Sequence, residues 1–319
     1  MILIYLQSDI PCFQPTDEQV ARFEAKLPEF ADRPVRVCRS EVEFVSLLPE
    51  ATAVFVWTFR QEWFALAPRL RHLCTPAAGR DYFKVTPPPE VTMHYGSFHG
   101  AIMGETALAA MLAYCHGLLP FSTDMRADAG AGWPRIAMAR HGRRLSGSSV
   151  TILGYGNIGR HLGRMLAPFG AKVTGVTRTP HPELADEAAA LGIALDTTDH
   201  LDDILPKTDH LVCFLPSGDA TTNLLDARRI ALLKPSSVIY NFGRGNLIDE
   251  EALADALTAG RLAGAVLDVF KTEPLPPDSP LRKAPNCWLY PHASAFAPDY
   301  LDLYFDKCAK AMRAFGAPK

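Results

Sequence analysis

The sequence predicts an α/β protein built from two doubly wound parallel sheets, and three observations carry that reading. Apolar runs of strand length alternate with amphipathic segments of helical period along both halves of the chain, the pattern of parallel sheets flanked by helices. An apolar run at 150–153 leads straight into a glycine-spaced turn, Gly154-Tyr155-Gly156-Asn157-Ile158-Gly159, and then into a helical pattern. The length of 319 residues, 48% of them hydrophobic, is enough to fill two cores.

In chain order, residues 2–6 read as a buried strand, 17–27 as a helix, 35–38 as a strand, 41–48 as a helix and 53–57 as a third strand ending on Trp57. A helix near 61–67 and a strand at 70–74 follow, and that strand runs out into Pro76-Ala77-Ala78-Gly79. A small-residue turn after a strand's carboxyl end is where an open α/β sheet receives a ligand; taken alone, it reads first as a plain tight turn. Beyond the prolines at 87–89 come a short strand at 91–94, then His99, then a helix over 101–119. Ile102, Met103, Leu108, Met111, Leu112, Tyr114 and Leu118 make that helix apolar almost all round, which places it deep in the protein or in a subunit interface. It is the first crossing between domains, dividing a segment 1–100 from a segment 101–293. Residues 120–145, with a lone Trp133, read as an arm or extended loop.

The glycine turn has the form of a dinucleotide-binding turn. Gly154 permits the tight turn, Gly156 lets the backbone approach a pyrophosphate, and Gly159 lets the helix pack closely on its strand. The helix opening at Asn157 and Ile158 aims its unpaired N–H groups and positive dipole end at the phosphates. Its apolar period runs over 158–169 to Gly170, and a strand at 172–176 leads into Thr177-Arg178-Thr179-Pro180. NAD-binding sheets place an acid there for the ribose 2′-hydroxyl, so Thr177, Arg178 and Thr179 favour the 2′-phosphate of NADP, with NAD possible. Further helices at 183–191, 201–205, 226–233 and 250–259 alternate with strands at 193–195, 210–215, 237–241, 264–269 and 287–290, giving six or more parallel strands in one sheet.

Composition narrows the class. A net charge of -3 argues against nucleic acid as a main partner, and no apolar run reaches membrane-spanning length. The seven cysteines are scattered and odd in number, without zinc-type spacing, which indicates neither a disulfide framework nor a metal site and suits a reducing cytoplasm.

Three polar residues stand at or just after strand ends in the second sheet: Arg244, Glu273 and His292. Each alone has an ordinary structural reading, as a loop ion pair, a solvated turn or a helix cap. Together they supply an anion clamp, a carboxylate and an imidazole on one rim, the equipment of carbonyl reduction.

With the fingerprint at 154–159, Leu215-Pro216 with Thr221, the run Asn241 through Glu250, Leu267-Asp268-Val269 through Glu273-Pro274, and Pro291-His292, nearly the whole chain resembles the D-isomer-specific 2-hydroxyacid dehydrogenases. Thr177-Arg178-Thr179, Val56-Trp57 and the segment 273–281 are most similar to the glyoxylate/hydroxypyruvate reductase branch, whereas Ala77-Ala78-Gly79 only approximates the family's carboxylate loop and 93–104, containing His99, departs from that branch.

The resemblance implies two Rossmann-like domains around a cleft, the substrate-binding domain 1–100 being completed by 294–319, whose apolar positions Leu301, Tyr304, Phe305, Cys308, Met312 and Phe315 have helical period. It implies that Arg244 holds the carboxylate and carbonyl oxygens of a small 2-oxo acid, that His292 protonates the carbonyl oxygen and that Glu273 orients the imidazole and favours its charged form. Leu215, Pro216, Thr221 and Asp268 would line the cofactor, Asp268 on the nicotinamide side. The N–H groups of Ala78 and Gly79 would receive the substrate carboxylate, with Trp57 as an apolar wall or a half-buried strand aromatic, and His99 as a further candidate contact. Relatives pair through the region of 101–133, so a homodimer is expected. Two other readings share the fold: a nucleotide-sensing protein of the corepressor type, and a formate or phosphite dehydrogenase.

Overall fold

The computed structural model describes residues 1–28, 33–80, 83–121, 135–179 and 181–315. The chain divides into two compact units, Met1–His99 with Phe296–Lys319, and Gly100–Ala295.

The first unit holds five strands, β1 (Ile2–Tyr5), β2 (Val35–Val37), β3 (Ala53–Val56), β4 (His72–Thr75) and β5 (Thr92–Tyr95), in the order β2-β1-β3-β4-β5 and all parallel. Every residue of β3 and β4 is buried, as expected of strands covered on both faces, and this is why β3 reads as a continuous apolar run. The strand order reverses between β1 and β3, the point at which sheets of this kind open a crevice.

Helix Asp17–Ala25 starts on a capping box: the Gln19 N–H donates to the Thr16 hydroxyl at 3.2 Å, and the Thr16 N–H donates to the Gln19 side chain at 3.1 Å. From its inner face Phe23 meets Phe55 and Phe305, the latter on helix Tyr300–Phe315. Arg22 pairs with Asp302 at 2.8 Å and Lys26 with Asp306 along the exposed edge. Leu301, Tyr304, Phe305, Cys308 and Met312 on this last helix are buried.

The second unit has seven parallel strands, β6 (Ser149–Leu153), β7 (Lys172–Thr177), β8 (Ala194–Thr197), β9 (His210–Cys213), β10 (Val238–Asn241), β11 (Gly264–Leu267) and β12 (Cys287–Leu289), ordered β12-β11-β10-β9-β6-β7-β8. Here the reversal falls between β6, which carries the glycine turn, and β9.

Some boundaries differ from the sequence reading. The long helix spans Gly100–Cys115 and stops short of 119, because Gly117 takes φ +74°. The helix after the glycine turn spans Asn157–Leu166 and tightens into a 3₁₀ turn through Pro168, which lacks the N–H to continue it. Within the expected irregular arm, Arg135–His141 is helical; none of its residues is buried, so no apolar stripe announces it. Trp133, the rest of 122–134 and Pro180 lie outside the described residues.

The apolar surface of helix Gly100–Cys115 is largely consumed inside its own unit. Gly104 brings it so close to helix Asn157–Leu166 that a Cβ there would meet Met165 Sδ at 3.3 Å, and Ala107, Met111 and Tyr114 are buried. Large exposed apolar side chains persist nearby at Leu118 and Ile136, 65% and 71% exposed.

Each unit also buries a histidine near the start of a strand. His72 lies against His94 at 3.1 Å, and burial first, then the charges of His94 and Arg33, push it down to about 4. His210 lies 3.1 Å from the Tyr240 hydroxyl, and burial takes it to about 4 as well.

Candidate functional site

The glycine turn is built as its spacing predicts. Gly154 adopts φ +101°, and its N–H donates to Val176 O at 2.9 Å, locking the end of β6 to β7. A Cβ on Gly159 would lie 2.5 Å from Gly154 O and 2.9 Å from Ile152 Cγ2, so close contact of helix and strand excludes any side chain. Gly156 is different: a Cβ there would meet no protein atom within 4 Å, and no side chain caps the helix that begins beside it. Internal packing does not call for glycine at 156, whereas a phosphate lying against this helix start does. The residues present therefore fit a dinucleotide.

At the end of β7, Arg178 and Thr179 are exposed, and among the described residues Arg178 makes no ion pair. The Thr177 hydroxyl donates to Thr179 O at 2.7 Å, so its proton closes the local turn and its lone pairs remain to accept. After β9, Leu215 is buried and Pro216 exposed, and the Thr221 hydroxyl reaches Pro216 O and Gly218 O, both at 2.9 Å, which folds this loop on itself.

Arg244, Glu273 and His292 follow β10, β11 and β12, three neighbouring strands, at their carboxyl ends. Asn241, buried at the end of β10, sets the first loop: its amide donates to Arg244 O at 3.0 Å and its carbonyl accepts the Gly243 N–H at 3.1 Å. Arg244 itself is half-buried and donates from Nη1 to Gly243 O at 2.8 Å. A Cβ on the next residue, Gly245, would overlap Phe270 C at 1.8 Å, so this loop lies directly on the one that leads to Glu273.

Glu273 Oε2 is 2.8 Å from His292 Nδ1, and its Oε1 accepts the Phe270 N–H at 3.0 Å. A carboxylate only accepts, so Nδ1 carries the proton and Nε2 is the nitrogen left for a substrate. Both side chains are 36% exposed, open enough to be reached. His292 has φ +54°, unusual for a residue with a side chain and the sort of conformation that marks functional positions.

Asp268, expected on the nicotinamide side, is fully buried. Its main-chain oxygen accepts the His292 N–H at 2.9 Å, Oδ1 accepts the Ala293 N–H at 2.7 Å and Oδ2 the Ser294 N–H at 3.1 Å. The sequence reading missed this grip on the His292 turn, since its partners are main-chain groups 25 residues away that leave no side-chain signature. A cavity of about 490 Å³ flanks the pair, walled by Phe270, Pro274, Leu275, Leu289 and Pro291 beside Glu273 and His292. Arg282 also lines it, yet donates to Pro276 O at 2.8 Å and Leu275 O at 2.6 Å.

In the first unit, Ala78 and Gly79 follow β4, and among the described residues no hydrogen bond is made by either N–H group. Trp57, just after β3, is half-buried against Phe13 at 4.9 Å and Tyr300 at 6.3 Å between ring centroids. His99, the further candidate contact, lies just before helix Gly100–Cys115. It is 5% exposed, stacked on Phe98, with Nε2 3.1 Å from the Tyr300 hydroxyl, a packed interior residue. Among the described residues no group of three or more His, Cys, Asp or Glu could hold a metal ion, and no helix is long and apolar enough to cross a membrane.

Residues 108–294 match the family model of the D-isomer specific 2-hydroxyacid dehydrogenase, NAD binding domain. The D-3-phosphoglycerate dehydrogenase of Mycobacterium bovis is 33% identical over 279 residues, covering 85% of this chain and 50% of the relative, so the chain spans about half the length of these curated relatives. The glyoxylate/hydroxypyruvate reductase B of Pectobacterium carotovorum is 34% identical over 230 residues, 71% of this chain and 69% of that one. A D-isomer specific 2-hydroxyacid dehydrogenase from Xanthobacter autotrophicus, solved in complex with NADPH and MES, superposes with a TM-score of 0.77 at 25% identity, covering 99% of this chain and 96% of that chain.

Proposed function

The chain belongs to the D-isomer specific 2-hydroxyacid dehydrogenase family, and from that premise we propose that it reduces a small 2-oxo acid, of the glyoxylate or hydroxypyruvate kind, to the D-2-hydroxy acid. The observation that carries the reading is the bond between His292 Nδ1 and Glu273 Oε2, which leaves Nε2 as the proton donor on the same strand-end rim as Arg244. The reduced nicotinamide, when bound, supplies the hydride to the keto carbon. His292 Nε2 gives its proton to the carbonyl oxygen as charge builds there, and Glu273 stabilises the imidazolium that precedes the transfer. Arg244 holds the carboxylate with a planar fork; Ala78 and Gly79, on the first unit, have N–H groups of the kind that receive a carboxylate.

Gly154, Gly156 and Gly159, with the helix start at Asn157 and Ile158, take the pyrophosphate; Leu215, Pro216 and Thr221 line the dinucleotide. Arg178 supports NADP over NAD, as does the NADPH in the Xanthobacter relative. A small uncharged substituent is favoured over a phosphorylated one because Arg282, the cation beside the pair, is committed to main-chain carbonyls. Leu118 and Ile136 support a homodimer, and seven free thiols suit a reducing cytoplasm.

The test is a panel of glyoxylate, hydroxypyruvate, pyruvate and phenylpyruvate with NADPH and NADH in parallel. NADPH oxidation with glyoxylate and hydroxypyruvate is the expected result. Failure of every pair to react would overturn the reading, and a monomeric mass by light scattering at micromolar concentration would overturn the dimer.

A further inference from the structure

His292 is held in two independent ways. Glu273 fixes the imidazole, while the left-handed main chain is fixed by Asp268, which receives the N–H groups of His292, Ala293 and Ser294. The other side of Ser294 has its own anchor: its carbonyl oxygen accepts the Thr106 hydroxyl at 2.9 Å, from the second turn of helix Gly100–Cys115. Ser294 is 5% exposed, so water cannot readily replace that donor, and an unpaired buried carbonyl is costly enough to make the segment move.

The structure assigns Thr106 as a positioning residue for His292, acting through the Ser294 carbonyl and the Asp268 grip. The inference rests on the proposed 2-oxo acid reduction, because it takes His292 as the proton donor. Among the described residues the Thr106 hydroxyl bonds to neither pair member; it reaches Ile102 O, at 3.2 Å, and Ser294 O, at 2.9 Å. What it controls is where the turn places the imidazole, and displacement of a catalytic group by about 1 Å can lower a rate by about a hundredfold.

Thr106→Val keeps the shape and removes the hydroxyl; Thr106→Ser keeps the hydroxyl. With the full chain, glyoxylate and NADPH, Thr106→Val is expected to lower kcat at least about tenfold while the KM for NADPH stays within about twofold, and Thr106→Ser to recover most of the loss. In parallel, hydrogen exchange at the amides of Ala293 and Ser294 should quicken about tenfold in Thr106→Val and return toward wild type in Thr106→Ser. Wild-type kcat and exchange in Thr106→Val, or equal damage in both variants, would overturn the assignment. Were the wild-type chain to reduce no 2-oxo acid at all, the proposed reaction would fail, and the exchange rates would still decide whether Thr106 holds the turn.

Discussion

Glu273 accepts the Nδ1–H of His292 at 2.8 Å with one oxygen and the N–H of Phe270 at 3.0 Å with the other, so the carboxylate is fixed before it fixes the imidazole. Removing the donor should therefore cost more than loosening its support. His292→Ala is expected to lower 2-oxo acid turnover by about a hundredfold or more, and Glu273→Gln by about tenfold at least, since an amide can present its NH₂ to Nδ1 and select the wrong tautomer. Steady-state rates at neutral pH decide it; near wild-type turnover in His292→Ala would remove that residue from the chemistry.

Arg244→Lys tests the clamp. An ammonium has no planar fork for a carboxylate and adjacent carbonyl, so kcat/KM for glyoxylate should drop by about tenfold to a hundredfold. Unchanged kcat and KM would show that Arg244 serves only its own loop.

Two glycines of the fingerprint should behave in opposite ways. Gly159→Ala forces a Cβ to 2.5 Å from Gly154 O, and overpacking of this kind destabilises by about 1–3 kcal/mol, visible as a lower Tm of the ligand-free protein. Gly156→Ala meets no protein atom within 4 Å and should leave that Tm almost unchanged while weakening NADPH binding about tenfold or more. Equal losses of Tm, or unimpaired NADPH titration in Gly156→Ala, would contradict the phosphate role.

Cofactor preference should depend on Arg178. A charge-assisted bond to the 2′-phosphate contributes about 1.5–3 kcal/mol, a tenfold to hundredfold preference for NADPH. Thr177→Asp with Arg178→Ala introduces an acceptor for the free 2′-hydroxyl and repels the phosphate, so the kcat/KM ratio should swing toward NADH. A ratio that does not move would sink this assignment.

Acid should weaken both units through their buried imidazoles. His72 and His210 sit at about 4 in the folded protein against 6.5 for an ordinary histidine, so the unfolded chain takes up these protons first. Stability is full above pH 6.5, falls as pH drops toward 4 and levels off below, by about 3 kcal/mol per imidazole. His210→Gln should reduce the Tm difference between pH 7 and pH 5; an undiminished difference would show that His210 is not a source of it.

The parts of the molecule most legible in the sequence are those where one physical demand writes directly into residue type. Two-sided burial makes β3 a continuous apolar run, and close helix–strand contact leaves glycine as the residue for position 159. Glu273 and His292 were legible as strand-end polar residues, and the structure joins them. Thr106 and Ser294 were not, because a hydroxyl bonded to a main-chain carbonyl 188 residues away has no pattern of its own. Thr177 reads as a free hydroxyl until the turn is seen to use its proton, and His99 reads as polar until its burial under Phe98 and Tyr300 is known.

The Phe23–Phe305 contact has a consequence for biosynthesis. During translation the five-stranded sheet is complete at Tyr95, yet Phe23 and Phe55 have no ring from helix Tyr300–Phe315 to cover them until more than two hundred further residues have left the ribosome. The seven-stranded unit is a contiguous segment and can close first, leaving the amino-terminal unit as the nascent species with exposed aromatic surface. Chaperone demand should accordingly concentrate on residues 1–99.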